Sequence, residues 1–334
     1  MKAAVIREFG GPDVLSVEDV DDPQPGPGHV RIDVTTCALN HVDVDIREGT
    51  SRFPIDFPHI QGLEIVGRVD AIGDGVDDYA VGDRVMPYLL GGEVFLGVAG
   101  PGGFAEYAIA PTTQLVRVPE EISDDDAGAL QVAFGTAWHM LFTRGGLRIG
   151  ETVLVNSVSS GIGSAAIQLA HLAGATVIGT SSSPEKLAAA AELGMDAGID
   201  YTTEDIPARV AEITGGKKCH VVYDGIGKAT FPGSLDCLRP LGMFVSFGSA
   251  SGPIDAFNIG ILAQKGSLFA TRPTLFTYAA ERPDLLAMCE DLFAVIASGA
   301  VKIPVSQTFA LKDAADAHRA LEGRETTGAT ILIP

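Results

Sequence analysis

Residues 151–186 read ETVLVNSVSSGIGSAAIQLAHLAGATVIGTSSSPEK and contain the pattern that decides the fold. The apolar, β-branched run 152–155 predicts a buried strand, and the small residues of 156–163 predict a tight turn after it. Apolar residues at helical spacing over 166–173 predict a helix, and a second apolar run, 175–178, predicts another buried strand. The stretch is therefore expected to form one β-α-β unit of a parallel sheet.

The turn of this unit has the composition of a phosphate-binding turn. Ser160-Gly161-Ile162-Gly163 lies where the helix begins, and the free N–H groups of a helix N-terminus attract a phosphate when small residues let it approach the backbone. The full G-x-G-x-x-G pattern is absent, because Ser157, Val158 and Ser159 stand where glycines could be. A bare Gly-x-Gly also occurs as plain tight packing in α/β proteins, so a dinucleotide site is the preferred of two interpretations.

The end of the second strand bears on which dinucleotide is bound. About 20 residues beyond the glycines, NAD-binding proteins usually carry an Asp or Glu that bonds the ribose 2′-hydroxyl. Here Ser181 and Ser182 occupy this place and Lys186 follows one helical turn later, so no carboxylate repels a 2′-phosphate and a cation is within reach. These residues favour NADPH. Alternatively, Ser183-Pro184 caps the next helix and Lys186 is simply solvated.

Length and composition limit the class of protein. With 334 residues the chain exceeds one ordinary hydrophobic core, so two domains are expected. The net charge of −20, from 23 basic and 43 acidic residues, argues against nucleic acid or an anionic membrane as a partner. The four cysteines form no C-x-x-C pair, which is typical of a reduced protein: Cys37, Cys219, Cys237 and Cys289. With no signal peptide before the first strand and no spanning apolar run, a cytoplasmic protein is expected.

The order of predicted elements changes at two places. Short predicted strands separated by Gly and Pro turns fill residues 1–122 and indicate a mainly antiparallel β domain. From 123 to 266, helices alternate with buried strands, which indicates a doubly wound parallel sheet. From 267 onward, the chain is expected to return to the first domain. The elements predicted after residue 122 include helices over 129–142, 235–238 and 283–297 and strands over 243–247, 301–309 and 330–333.

Short segments spread from end to end carry a family resemblance. They are Met1-Lys2-Ala3-Ala4-Val5, Gly102-Gly103-Phe104-Ala105-Glu106-Tyr107, the turn 160–163, Thr271-Arg272-Pro273-Thr274-Leu275 with Tyr278, Leu292-Phe293 with Ile296-Ala297-Ser298-Gly299, and Leu311-Lys312-Asp313-Ala314 with Ala317-His318. The chain resembles the medium-chain dehydrogenase/reductase superfamily, and within it the zinc-free NADPH:quinone oxidoreductases. The resemblance implies a GroES-like, mainly antiparallel β catalytic domain at 1–122 completed by 267–334, a Rossmann domain at 123–266 that binds NADPH, and a homodimer.

The positions of the superfamily's zinc ligands decide which chemistry is expected. The zinc alcohol dehydrogenases carry a Cys in the segment that here ends at Asn40, and a Gly-His-Glu where this chain has Gly62-Leu63-Glu64. Leucine cannot bind zinc. A substitute site of Cys37, His41 and His59 has no recognised spacing, so no metal is expected. Without a Lewis acid, reduction of an already polarised C=C is better supported than oxidation of an alcohol.

The resemblance implies that Asn40, His41 and Asp43 face the nicotinamide, and Asn40 and Asp43 form an Asn-x-x-Asp pattern found in the zinc-free branch. The expected reaction is hydride transfer to an electrophilic carbon conjugated to a carbonyl, as in a quinone or enone. The developing enolate oxygen then needs a hydrogen-bond donor and a proton. Asn40 is the candidate for holding the oxygen, and His41 for donating the proton. An equally weighted alternative is that His41 points away, and the preferred role of Asp43 is orienting or structural.

For the cofactor, the resemblance implies contacts from several parts of the sequence. They are Thr136 near the nicotinamide; Ser160, Gly161 and Ile162 at the pyrophosphate; Ser181, Ser182, Lys186 and Tyr201 around the adenine ribose phosphate; and Gly225, Phe247 and Gly248 after later strands of the parallel sheet. One departure is that Thr327-Gly328-Ala329 replaces a Gly-Lys usual near the family's C-terminus, so no cofactor contact is expected from that end.

Two other functions remain open. A 2-enoyl thioester reductase would need a basic pocket for the CoA or carrier phosphate, of which so acidic a chain gives little sign. A non-catalytic NADPH-binding protein of the same fold is also compatible with the sequence. An assay of NADPH turnover with a panel of quinones distinguishes an enzyme from such a non-catalytic protein.

Overall fold

The structure is a computed structural model that describes residues 1–51, 54–88, 96–97 and 100–334. Within these ranges the chain divides into two compact units: Met1–Val132 together with Ala279–Pro334, and Ala133–Tyr278. In the described part of the chain, no helix is both long and apolar enough to cross a membrane.

The first unit begins with short strands joined by turns. Their bounds are β1 Lys2–Ile6, β2 Ser16–Asp19, β3 His29–Leu39, β4 His59–Ile60, β5 Glu64–Ile72, β6 Arg84–Pro87, β7 Tyr107–Pro111 and β8 Leu115–Arg117, with helices α1 His41–Glu48 and α2 Asp124–Gly128. In β3, Val30, Ile32 and Val34 are buried and the residues between them are more exposed. This is the period-two pattern of a strand that turns one face to the core.

Strands β3 and β5 pair over most of their length. They run antiparallel from Val30 opposite Ile72 to Ala38 opposite Glu64. The pairing places Glu64, the first residue of β5, level with Ala38, two residues before Asn40. Because α1 follows directly on β3, the register of this strand pair brings a carboxyl group beside the start of that helix.

The second unit alternates helices and strands. Helix α3 Gln131–Trp138 and a π-helical turn, His139–Arg144, lead to β9 Thr152–Val155, α4 Gly161–Leu172, β10 Thr176–Ser181, α5 Pro184–Glu192, β11 Ala197–Asp200, α6 Ile206–Ile213, β12 Cys219–Asp224, α7 Phe231–Asp236, β13 Leu238–Ser246, α8 Gly260–Gln264, β14 Phe269–Thr271 and α9 Leu275–Tyr278. The strands pair in parallel in the order β11-β10-β9-β12-β13-β14. The doubly wound parallel sheet is confirmed, and all strands end at one edge of it.

The end of the chain, from Ala279 onward, belongs to the first unit. Its elements are α10 Arg282–Ala297, β15 Val305–Ala310, α11 Ala314–Glu322 and β16 Ala329–Ile333. Strand β16 pairs antiparallel with β3, which gives a sheet in the order β15-β16-β3-β5-β6-β8, with β7 also paired to β3. A second sheet has the order β2-β1-β4. Apart from the parallel pair β15 and β16, the pairings are antiparallel, so the mainly antiparallel β domain is confirmed.

Four predicted elements differ from the observed ones. The helix predicted over 235–238 is wrong at its end, because α7 stops at Asp236. Leu238 is already the first residue of β13 and pairs with Cys219 of β12. The strand predicted over 243–247 therefore begins earlier, and an irregularity before Met243 holds Leu241 at φ 61°. The strand predicted over 301–309 begins only at Val305, after a proline that cannot donate to a sheet. The helix predicted over 129–142 is interrupted by the π-helical turn.

Candidate active site

Asn40 lies between β3 and α1, at the N-cap position of the helix. Its backbone is extended, with φ −119° and ψ 160°, as is usual for the residue that precedes a helix. Asp43, the third helical residue, is fully buried and accepts a hydrogen bond of 2.8 Å from the Asn40 backbone N–H. This is the carboxylate half of a capping box, so the two ends of the Asn-x-x-Asp pattern start the helix together.

The Asn40 side chain is bonded to a carboxylate that the predicted site did not include. Its Nδ2 donates to Oε2 of Glu64 at 2.9 Å. The other carboxylate oxygen of Glu64, Oε1, accepts the backbone N–H of Val132 at 3.1 Å, in the first turn of α3. Glu64 is only 1% exposed, so its carboxylate is held by protein donors rather than by water.

The two carboxyl groups beside Asn40 have unusual acidities. Burial raises the pKa of Asp43 to about 8, and the charge of Glu64 adds to this rise, although the Asn40 N–H opposes it. Burial also raises the pKa of Glu64 to about 7, against the lowering effect of the hydrogen bonds from Asn40 and Val132. The pair therefore resists carrying two full negative charges near neutral pH.

His41, the first residue of α1, has an exposed side chain. Partial desolvation by the surrounding protein lowers the pKa of its imidazole, while the negative charges of Asp45 and Glu322 oppose that shift. An imidazole of lowered pKa is mostly neutral at pH 7 and carries one N–H. Because Asp45 and Glu322 both act on the imidazole, an anionic ligand that approaches His41 meets two negative charges.

The far end of α1 is fixed by a buried arginine. The Arg47 side chain is fully buried and donates from Nε to the carbonyl oxygen of Gly10 and from Nη1 to Nδ1 of His318, each at 2.9 Å. It also forms an ion pair with Glu322 of α11. Burial and the neighbouring Arg47 charge lower the pKa of His318 to about 3, so this imidazole stays neutral and accepts from the guanidinium. These bonds anchor the helix that carries His41 and Asp43.

The residues considered as a substitute metal site have other partners. Cys37 is fully buried and its Sγ donates to the carbonyl oxygen of Leu332, while burial raises its pKa and disfavours the thiolate that a metal requires. Nε2 of His59 lies 3.0 Å from the carbonyl oxygen of Gly97. Across the described residues, no group of three or more His, Cys, Asp or Glu side chains is arranged to hold a metal ion.

The predicted phosphate-binding turn connects β9 to α4. The helix begins at Gly161, and Ser160 caps it by accepting the N–H of Gly163 at 3.0 Å. Ser157 adopts φ 65°, in the left-handed region that favours glycine, so a serine here takes a glycine-like conformation. A Cβ on Gly163 would lie 2.2 Å from the carbonyl oxygen of Ser157, so nothing larger than glycine fits. The N–H groups at this helix start form a suitable cradle for a pyrophosphate.

A buried polar network ties this turn to the neighbouring strand ends. Asp224, the last residue of β12, is fully buried and accepts Nδ2 of Asn156 at 3.1 Å and the backbone N–H groups of Ile226 and Gly227 at 2.8 and 3.0 Å. Oδ1 of Asn156 accepts the hydroxyl of Thr180, which itself accepts the N–H of Ser157. The network holds together the carboxyl ends of β9, β10 and β12, the edge at which nucleotides bind in such sheets.

Of the residues predicted around the adenine ribose phosphate, Ser181, Ser182 and Lys186 lie at the end of β10 and the start of α5, and Tyr201 follows β11 directly. Ser181 is almost fully buried, and its carbonyl oxygen accepts the N–H of Tyr201 at 3.1 Å. Ser182 and Lys186 are half-buried, and Tyr201 is 45% exposed. Ser183 caps α5 by accepting the N–H of Lys186, with proline in the first turn, as the capping interpretation predicts.

The later turns of the sheet pack closely on each other. A Cβ on Gly248 would lie 2.3 Å from the carbonyl oxygen of Gly225, and one on Gly225 would lie 2.7 Å from the Phe247 ring. Nη1 of Arg272 donates to the Gly248 carbonyl at 2.6 Å and so holds this turn in place. Gly225, Phe247 and Gly248 thus form one cluster after β12 and β13. Thr136 lies half-buried in α3.

Two buried residues escaped the sequence analysis. Glu64 stood in the Gly62-Leu63-Glu64 segment, but only the lost zinc ligand Leu63 was weighed there. His139 is 1% exposed in the π-helical turn, and in the described part of the chain neither ring nitrogen has a hydrogen-bond partner. An acidic residue opening an apolar strand was a usable signal for Glu64. The sequence carries no comparable signal for His139.

Comparisons with known proteins cover the whole chain. Two family models match: "Alcohol dehydrogenase GroES-like domain" over residues 26–120 and "Zinc-binding dehydrogenase" over residues 161–288. The chain is 42% identical to a quinone oxidoreductase of Pseudomonas aeruginosa over 98% of this chain and 97% of that protein. It is 37% identical to a 2-haloacrylate reductase of Burkholderia sp. over 99% of this chain and 98% of that protein. The solved structure of Escherichia coli quinone oxidoreductase complexed with NADPH matches with a TM-score of 0.92 at 35% identity, over 100% of both chains.

Proposed function

Because the chain belongs to the quinone oxidoreductase branch of the medium-chain dehydrogenase/reductase superfamily, we infer that it is an NADPH-dependent oxidoreductase that reduces a quinone or an α,β-unsaturated carbonyl compound. The observation that carries this inference is the β9–α4 turn, where Gly163 leaves a cradle at a helix N-terminus that a side chain would fill. The residues present fit a dinucleotide. When bound, NADPH supplies the hydride.

We assign the nucleotide to the domain 123–266 and the acceptor chemistry to the domain 1–122 with 267–334. The pyrophosphate is held by the turn Ser160, Gly161 and Ile162, whose N–H groups open α4. Lys186 and Tyr201, with Ser181 and Ser182, surround the adenine ribose phosphate. The buried side chain of Ser181 supports a role in shaping the strand end, which leaves Ser182 and Lys186 as the polar groups for the 2′-phosphate. Thr136, Gly225, Phe247 and Gly248 complete the cofactor set.

The acceptor is proposed to bind at the start of α1. Asn40 donates from its side-chain amide to the carbonyl oxygen of the acceptor, where negative charge develops during reduction. His41, which is exposed at the start of α1, supplies the proton from its imidazolium form, and its lowered pKa makes that form a stronger acid. Asp43 holds the backbone of Asn40 through its capping bond and does not touch the acceptor. The three residues thus divide into a donor, an acid and a positioning group.

The charges near His41 support a neutral acceptor. Asp45 and Glu322 both act on the His41 imidazole, so an anionic ligand would meet two negative charges there. A quinone or enone avoids that repulsion, whereas a haloacrylate or a CoA thioester carries its own negative charge. The 2-haloacrylate reductase relative supports reduction of a conjugated C=C as the second reaction to test.

An assay of NADPH oxidation over a panel of acceptors tests the proposal. The panel contains neutral quinones, enones, 2-haloacrylates and enoyl-CoAs, each measured with NADPH and with NADH. We expect turnover with quinones or enones, preference for NADPH, and roughly 100-fold loss in Asn40→Ala, as for the loss of one oxyanion donor. Asn258→Ala, at an exposed asparagine of the other unit, is the matched control. Binding of NADPH without turnover of any acceptor would identify a non-catalytic protein instead.

We also propose a homodimer in the cytoplasm. Strand β14 ends the order of the parallel sheet and exposes 55% of Phe269, so its free edge is suited to pairing with a second copy. All four cysteines are buried free thiols, which suits a reducing compartment. Light scattering of wild type and Phe269→Asp tests the dimer: we expect twice the chain mass for the wild type and a lower mass for the variant, and a monomeric wild type would contradict it.

A further inference from the structure

We propose that Glu64 is a positioning residue that fixes the orientation of the Asn40 amide, so that a single N–H of that amide faces the acceptor oxygen. The inference rests on the proposed function, because it gives the Asn40 amide its orientation for that reaction. It starts from the hydrogen bond of 2.9 Å between Nδ2 of Asn40 and Oε2 of Glu64.

An asparagine amide has two N–H donors on nitrogen and one acceptor oxygen, and the two ends have nearly the same shape. An ionised carboxylate accepts and does not donate, so it favours the orientation in which the amide nitrogen faces it. With Oδ1 turned toward Glu64, two oxygen atoms would face each other in a buried site, at a cost of a lost hydrogen bond and electrostatic repulsion. Glu64 therefore selects the orientation in which Nδ2 points toward it.

The second Nδ2–H is the donor that matters for the reaction. Among the described residues no other group accepts from the Asn40 side chain, which is half-buried rather than enclosed. The backbone of Asn40 is fixed separately, through its N–H bond to Asp43. The backbone and the side chain are thus held by two different carboxylates, and one amide proton is left for a ligand.

Glu64 is itself held too firmly to follow a rotating amide. It opens β5 opposite Ala38, so its main chain is part of the β3–β5 ladder. Its Oε1 is bonded to the N–H of Val132 at 3.1 Å, and the side chain is 1% exposed. A carboxylate fixed at both the main chain and the far oxygen presents Oε2 in one direction only.

Glu64→Gln is the variant that tests this role. The glutamine has the same shape, but its amide is able to donate to Oδ1 of Asn40, which permits the flipped orientation and turns an acceptor toward the developing negative charge. We expect kcat to fall roughly 100-fold, as when one oxyanion donor is lost, with no change in NADPH affinity. Glu64→Asp keeps the charge, and partial recovery of kcat is expected. Glu106→Gln, in the same unit, also replaces a carboxylate that accepts a backbone N–H and is the control.

A readout besides activity is the side-chain amide of Asn40 in nitrogen-15 NMR spectra, assigned by its disappearance in Asn40→Asp. Measurements at pH 8 favour the ionised form of Glu64, since burial raises its pKa only to about 7. The proposal predicts that the Asn40 resonances shift in Glu64→Gln and not in Glu106→Gln. Unchanged resonances, or a kcat equal to the wild type, would overturn it.

A lower NADPH affinity together with a lower denaturation midpoint in Glu64→Gln would also overturn it, because the two losses together indicate a merely structural role. If the wild-type protein reduces no acceptor, the proposed function fails. The resonance shift still decides whether Glu64 orients the amide, so the two failures are distinguishable.

Discussion

His139 stacks on Tyr278, with the ring centroids 4.8 Å apart and an interplanar angle of 10°. The imidazole is 1% exposed, and within the described residues neither of its nitrogens has a hydrogen-bond partner. Burial lowers its pKa to about 4, so it is a neutral ring whose N–H is buried unsatisfied. The stacking contact therefore offsets only part of a desolvation cost that a buried polar group normally recovers through a hydrogen bond.

His139→Phe is expected to stabilise the protein. The phenyl ring keeps the stacked contact with Tyr278 and removes two nitrogens that have no partner, so the gain is about 1 to 2 kcal/mol at pH 7.5. The urea midpoint of the second unit, followed by a probe in that unit, measures it. His171→Phe, at an exposed histidine in the same unit, serves as the control and is expected to give little change. A lower midpoint for His139→Phe would mean that a water or an undescribed group satisfies the imidazole.

A second prediction concerns Asp43 and pH. Its folded pKa of about 8 lies above the ordinary value of 3.8, so the folded state holds a proton that the unfolded chain loses. The stability that this proton provides is complete below the unfolded pKa and is lost as pH rises through about 8. Well above pH 6.5, the ordinary histidine pKa, His139 and His318 are neutral in both the folded and the unfolded chain, so the fall toward pH 8 belongs largely to Asp43 and Glu64.

Asp43→Asn should flatten that part of the profile. The amide oxygen of the variant can still accept the Asn40 N–H, so the helix cap survives while the titrating group is removed. The free energy of unfolding measured with urea at several pH values is expected to decline less steeply in the variant than in the wild type. Asp45→Asn, at an exposed residue of the same helix, is the comparison. Parallel profiles for the wild type and Asp43→Asn would contradict the raised pKa.

The features that could be predicted from the sequence are the local ones. Ser160 caps a helix that begins with small residues, and Ser183 caps a helix that begins with proline. In both cases the serine and the residues that follow it are enough to specify where the helix starts. The period-two pattern of β3 and the apolar runs of the parallel sheet likewise depend on neighbours in the chain. The proposed cofactor and catalytic assignments of these residues remain predictions, because position alone does not measure binding.

The features that escaped prediction depend on tertiary pairing. Glu64 meets Asn40 across 24 residues of sequence, through a strand register that no local pattern contains. Strand β13 begins at Leu238, although Pro240 and Gly242 normally interrupt strands, because a bulge absorbs both. The π-helical turn at His139 lies in a sequence whose local pattern predicts a continuous α-helix, so that pattern does not contain the change.

A third prediction tests the phosphate-binding turn. In Gly163→Ala the new Cβ would lie 2.2 Å from the Ser157 carbonyl oxygen, so the turn must shift. We expect a loss of about 1 to 3 kcal/mol in stability, as for overpacking, and at least a tenfold loss in NADPH affinity. Gly233→Ala, in α7, is the matched control. Its new Cβ would lie 3.6 Å from the Pro207 side chain, which is an ordinary van der Waals contact. NADPH affinity unchanged in Gly163→Ala would separate this turn from the cofactor site.

The fourth prediction concerns the choice between the two cofactors. If Lys186 holds the 2′-phosphate, Lys186→Ala removes one charge-assisted hydrogen bond and weakens NADPH binding by about 1.5 to 3 kcal/mol, roughly 10- to 100-fold. NADH has no 2′-phosphate, so its affinity should stay the same, and titration of both cofactors by fluorescence measures the difference. Lys312→Ala, in the other unit, controls for the loss of one positive charge from an acidic protein. Equal weakening of NADPH and NADH would show that Lys186 supports the start of α5, next to the Ser183 cap, rather than the phosphate.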